Sequence, residues 1–164
     1  MATFKVIGKG QDKKSFDDMA LNDVISYITQ PQKTTHGFIG AYGVQPEYAA
    51  QQMEYVSKAY HNYDKVRLRH FIISFGEKDY ISINEAFFIA QKAAEFFADR
   101  HQIVYAVHED TLHIHIHFVM NQVSYIDGKK YSGSCKEHYS FINYMKEVCE
   151  DFWIDFKPVT DQDE

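Results

Sequence analysis

Leu112-His113-Ile114-His115-Ile116-His117-Phe118-Val119-Met120-Asn121 reads as a β-strand. With a side-chain repeat of two, Leu112, Ile114, Ile116, Phe118 and Met120 go to one face, and His113, His115, His117, Val119 and Asn121 to the other. A lone strand histidine is ordinarily a packing or surface residue. Four in the ten residues from His108 to His117 are another matter. Each ring needs partners for two nitrogens, and none packs as valine or isoleucine does. Such a row suits a metal ion. Same-face neighbours on a strand lie roughly 6.5–7 Å apart, so two imidazoles at i and i+2 converge if their rings lean together. His108, ending the preceding strand, is the natural third ligand. A turn over Glu109 to Ile114 sets it opposite His115, whereas a tighter one at Asp110-Thr111 sets it opposite His113. Three neutral nitrogens leave coordination positions open, as in a catalytic rather than a structural site.

The periodicity on either side predicts the rest of the domain. Thr3 to Ile7 reads as a strand and Gly8 to Ser15 as a polar loop. A helix follows with Leu21, Val24, Ile25 and Ile28 on one face, stopped by Pro31. A Gly-rich connection, Gly37 to Gly43, leads to a helix opening at Pro46, with Ala49, Met53, Val56 and Tyr60 aligned. Val66 to Phe75 reads as a strand. Ser82-Ile83-Asn84-Glu85 is a capping box that opens a helix reaching Arg100. Ile103 to His108 and Leu112 to Asn121 form an antiparallel hairpin, and a last helix spans Lys136 to Phe152. The acidic tail from Asp155 to Glu164 is expected to fray. The fold class is α+β: an antiparallel-containing open sheet with helices packed on one face, the other face being free for chemistry.

Composition sets the bounds. In 164 residues, 17 Lys and Arg oppose 23 Asp and Glu for a net charge of −6, with 45% apolar and 16% aromatic residues. These values describe one soluble domain, burying roughly 70% of the surface its unfolded chain exposes. Cys135 and Cys149 look incidental, the start resembles no secretory signal, and no apolar run approaches the roughly 18 residues of a membrane span. A reducing cytoplasm is the expected compartment. The acidic balance excludes a protein that coats nucleic acid by bulk charge but leaves room for a local basic site.

His108-Glu109-Asp110-Thr111-Leu112-His113-Ile114-His115-Ile116-His117-Phe118-Val119-Met120-Asn121 resembles the three-histidine motif of the relaxase or mobilisation nuclease family, within the HUH endonucleases. The resemblance implies a ferredoxin- or RRM-like palm with His108, His115 and His117 as metal ligands. His113 becomes an extra imidazole, set behind the ligands, against DNA, or in place of His117. Asp110 falls on the motif's acidic position, where it would assist catalysis by orienting a ligand; otherwise it is a turn residue. Ile25-Ser26-Tyr27-Ile28-Thr29-Gln30-Pro31-Gln32-Lys33-Thr34 is similar to the family's first motif, and Tyr27 lies off the helix's apolar stripe. By resemblance Tyr27 is the nucleophile. His70-Phe71-Ile72-Ile73-Ser74-Phe75 looks like the middle motif, with His70 and Ser74 on one strand face. The likeness extends from Leu21 to Phe152. Two features depart from it: the acidic charge, and an end point where many relaxases continue into further helices and a C-terminal domain, as expected of a minimal or shortened relaxase.

The implied function is strand-specific nicking of single-stranded DNA, or of an extruded hairpin, at a transfer origin. It would proceed through a 5′-phosphotyrosine intermediate and start mobilisation of a plasmid or integrative element in a bacterium. The cofactor would be a divalent ion, Mg²⁺ or Mn²⁺ in the cell, with Zn²⁺, Ni²⁺ or Co²⁺ also able to bind. Accessory DNA-binding proteins and a coupling protein would be partners. Lys33, Lys65, Arg67, Arg69, Lys129 and Lys130 are candidate phosphate contacts, and Asn121 a candidate site residue. Two other readings compete: a small metallohydrolase in which the histidines activate water, and a catalytically silent HUH-type module that binds DNA without cutting it.

Overall fold

A computed structural model of the chain describes residues 1–7, 20–63 and 66–159. The expected loop Gly8 to Ser15, Lys65 and the tail beyond 159 lie outside these residues. The described strands are β1 (Ala2–Val6), β2 (Ile39–Tyr42), β3 (Leu68–Ser74), β4 (Ile103–His108), β5 (His115–Asn121) and β6 (Phe156–Pro158). The α-helices are α1 (Ala20–Ile28), α2 (Ala49–Ala59), α3 (Ile83–Ala98) and α4 (Cys135–Glu150). The strands form one open sheet in the order β2-β4-β5-β3-β1-β6, antiparallel except for the β1–β6 pair. The fold is α+β.

The sheet's centre is fixed by sequence pattern. All of β4 is buried, and Ile103, Tyr105, Val107, Ile116, Phe118 and Met120 point toward α3 and α4. Phe71 of β3 stacks on Phe118 at 4.5 Å, and Phe97 and Phe141 from the two helices close over Phe71. Each fully buried aromatic of this kind contributes about 1.5–3 kcal/mol. Both helices start at a reciprocal capping box, Ser82 with Glu85 and Ser134 with Glu137. Each box satisfies two otherwise orphaned donors.

The opposite face is not bare. Leu21, Ile25 and Ile28 of α1 and Ala49 and Met53 of α2 cover Leu68, Val104, Ala106 and Val119, forming a second, smaller core. The face expected to be free for chemistry is therefore narrowed to the end where β4 stops and β5 begins.

Two strands arise where the sequence predicts none. Ile39–Tyr42 lies in the Gly-rich connection yet pairs with β4, because Gly40 lets the chain pass Tyr105: a Cβ there would sit 2.4 Å from that ring. The tail is not frayed at its start. Trp153 adopts a left-handed φ of 58° after α4, Ile154 N donates to the Cys149 carbonyl at 3.1 Å, and β6 returns beside β1 with Phe156 buried in the main core. Conversely, β5 begins at His115 rather than Leu112, whose side chain is 94% exposed. Among the described residues no helix is long and apolar enough to cross a membrane.

Candidate active site

The β4–β5 register pairs His108 with His115 and Ala106 with His117, the arrangement of the longer of the two turns expected. All three imidazoles thus stand on one sheet face. One ring nitrogen from each lies within 4.8 Å of the others. Ring centroids are 4.3 Å apart for His108 and His117, and 5.1 Å for either with His115.

The other nitrogen of each ring is held from behind. His108 Nε2 donates to the Ile28 carbonyl at 2.7 Å, leaving Nδ1 buried with no hydrogen-bond partner. His115 Nδ1 donates to the His113 carbonyl at 3.1 Å. His117 Nδ1 lies 2.9 Å from His70 Nε2. Burial chiefly, and then the neighbouring imidazoles, push His117 down from 6.5 to about 2; burial and then His108 push His70 down to about 4. Burial also lowers His108. Three imidazoles, each held at one nitrogen and with a ring nitrogen of each within 4.8 Å of the others, could hold a divalent metal ion, and the buried, unpartnered Nδ1 of His108 fits that use.

Helix α1 brings Tyr27 to the same place. Ile28, fully buried, anchors the helix end, and its carbonyl is the one that holds His108. Tyr27 next to it faces outward, 44% exposed, with its ring 6.0 Å from that of His117 and 6.3 Å from that of His108. Lys33 Nζ sits 4.8 Å from the Tyr27 ring centroid and 3.0 Å from Asp110 Oδ2, while its carbonyl accepts from Glu109 N at 3.2 Å. The Asp110 hydrogen bond raises the Lys33 ammonium, and Lys33 in turn holds the Asp110 carboxyl below its usual range. Asp110 Oδ1 also lies 4.0 Å from His115 Nε2. A phenol, an ammonium, a carboxylate and three imidazoles therefore meet at one sheet end.

Other expected site residues lie elsewhere. His113 precedes the strand; its carbonyl serves His115, but its ring is half-exposed and 4.0 Å from Glu77 Oε1. The convergent set contains His117 and not His113. Asn121, expected as a site residue or DNA contact, is only 1% exposed at the far end of β5, beneath α2. Its amide donates to the Met53 carbonyl and Gln102 and accepts from Ser57 and Val123 N. It is a core residue. Arg69, expected as a phosphate contact, is turned by strand alternation away from Leu68 and His70 onto the opposite sheet face, where it is 9% exposed and lies over Tyr131. Arg67 shares that phase and stacks on Tyr63 at 3.7 Å. Lys129 and Lys130 follow β5 and line a cleft of about 600 Å³ with Arg100, His101 and Lys136, which includes none of the three convergent histidines.

The sequence gives no hint that Ile28 or His113 would serve through a carbonyl, because every residue type has one. His70 lay on the correct strand face, and its contact with His117 comes from the β3–β5 register, in which His70 opposes Val119 and Ile72 opposes His117.

An open α+β sheet with an imidazole triad and a tyrosine beside it can serve metal-assisted phosphoryl transfer. Residues 27–153 match the family described as relaxase, MobA/VirD2-like, nuclease domain, and the chain belongs to that family. The matched segment opens on Tyr27 and contains all three convergent histidines. Membership makes this a DNA-nicking domain of the mobilisation class. None of the curated proteins matches the chain.

Proposed function

We propose that the protein is a site- and strand-specific single-stranded DNA transesterase that nicks at a transfer origin through Tyr27 and so begins mobilisation of a plasmid or integrative element. The supporting observation is the Tyr27 ring, exposed on a helix end and within 6.3 Å of the His108 and His117 rings. In this reading the Tyr27 phenolic oxygen attacks the scissile phosphorus. A Tyr–O–P bond forms, the bond from phosphorus to the 3′ oxygen breaks, and the departing oxygen takes up a proton as the phenol loses one. The Lys33 ammonium, 4.8 Å from the Tyr27 ring centroid, adds positive charge beside the attacking group.

His108, His115 and His117 would hold a divalent cation, Mg²⁺ or Mn²⁺ in the cell, which when bound supplies positive charge for the nonbridging phosphate oxygens. Asp110 fixes Lys33 and stands beside His115, a positioning role. The substrate is a single strand or an extruded hairpin, since attacking oxygen, phosphorus and leaving oxygen must align. The setting would be the bacterial cytoplasm, with accessory DNA-binding proteins and a coupling protein as partners.

The test is metal-dependent cleavage of labelled single-stranded oligonucleotides from the element's transfer origin, resolved on denaturing gels. Cleavage by the wild type with Mn²⁺, lost in Tyr27→Phe and in His115→Ala, supports the reading. Cleavage that persists in Tyr27→Phe points instead to activated water. Binding without cleavage points to a silent module.

A further inference from the structure

We infer that His70 is the positioning residue that makes His117 a ligand, its Nε2 accepting a hydrogen bond from the N–H that His117 must carry at Nδ1. This rests on reading His108, His115 and His117 as the cation's ligands. At the 2.9 Å contact between His70 Nε2 and His117 Nδ1 a single proton lies between the two rings, and it belongs to one of them. If His70 donates, the lone pair on His117 Nδ1 is consumed and Nε2 carries the hydrogen. His117 then offers nothing toward the other two rings. If His117 donates, its Nε2 lone pair is free and completes the set.

The other two members have the corresponding arrangement. His108 donates through Nε2 to a carbonyl and keeps a bare, buried Nδ1; His115 donates through Nδ1 to a carbonyl and keeps Nε2. A carbonyl can only accept, so those two tautomers are fixed. His115 Nδ1 also has the Thr111 hydroxyl at 3.5 Å, farther than its carbonyl partner, whereas His117 Nδ1 meets no carbonyl but His70, a group able to play either part, so His70 decides which nitrogen of His117 is bare. Strand pairing holds the two rings together: His70 on β3 is the diagonal neighbour of His117 on β5, and their centroids are 5.2 Å apart. An imidazole in this place also leaves the ligand neutral, where a carboxylate would add negative charge behind it.

The direct test uses the wild-type, metal-free protein: a long-range ¹H–¹⁵N correlation spectrum of its histidine rings. It should show His117 protonated at Nδ1 and bare at Nε2; the reverse tautomer overturns the proposal. A second test titrates Co²⁺ into the wild type, His70→Phe and His70→Gln, following the metal's visible absorption. Gln places an acceptor oxygen near the former Nε2, whereas Phe has none. The Kd should rise about 10–100-fold in His70→Phe and stay within a few-fold of wild type in His70→Gln. Equal affinity in all three, or a lowered metal-free Tm with unchanged affinity, makes His70 merely structural and overturns the proposal. His115→Ala separates the two levels: if it leaves Co²⁺ binding intact, the ligand set itself is wrong.

Discussion

A partner on the second nitrogen fixes the tautomer and the aim of a ligating imidazole, and the histidines His108, His115 and His117 differ chiefly in what that partner is. The sequence shows the row of rings; the carbonyls of Ile28 and His113 that orient two of them are invisible in it, since any residue could supply one. Strand phase sets His115, His117 and Asn121 on one sheet face, which is open at one end and covered at the other. Asn121 shares the face of His115 and His117, yet α2 lies over it, so a polar residue that looked like site chemistry is a core network. Replacing it should therefore affect stability rather than the site. Asn121→Ala leaves Gln102 Oε1 and the Val123 N–H short of a partner, and is expected to cost about 1–3 kcal/mol in urea unfolding with Co²⁺ affinity unchanged. A loss of Co²⁺ affinity in that variant would return Asn121 to the site.

At the scale of elements, the hairpin of β4 and β5 and the helix α4 are legible from hydrophobic repeat, and α3 because repeat and cap agree. The Ser82 cap makes its own contribution: Ser82→Ala should lower stability by about 1 kcal/mol, measured by thermal or urea unfolding, without moving the metal site. The elements that escaped are short, and long-range partners define them. β2 exists because Gly40 admits Tyr105, and β6 because the left-handed turn at Trp153 sends Phe156 into the core. Neither contact has a local signature. α1 was legible as a helix, but its lying across the histidine face was not, and this packing is what brings Tyr27 to the triad.

For the whole molecule, a net charge of −6 denies the protein general attraction for DNA, so recognition must be concentrated at the site. The buried histidines also make folding pH-dependent. His101, distant from the triad, donates through Nδ1 to the Asn121 carbonyl at 2.9 Å. Burial first, with Arg100 adding to it and the Asn121 carbonyl, Asp99 and Glu137 opposing it, holds its pKa below 6.5. The unfolded chain thus takes up the proton first as pH falls. Stability is full above about 6.5 and declines as pH drops from there toward the lower folded value. His70, His108 and His117 act in the same direction. Unfolding free energy measured without metal should fall as pH drops below about 6.5, and less steeply in His101→Asn, which keeps a donor near Nδ1 but does not titrate; an equal slope would contradict this. The central claim is that one tyrosine, brought to the triad by α1, forms the covalent bond to DNA. Peptide mapping by mass spectrometry after reaction with a transfer-origin oligonucleotide and Mn²⁺ tests it most directly. The account predicts a single nucleotide-bearing peptide, modified at Tyr27 through its phosphate. An adduct on any other residue, or cleavage with no adduct at all, would contradict it.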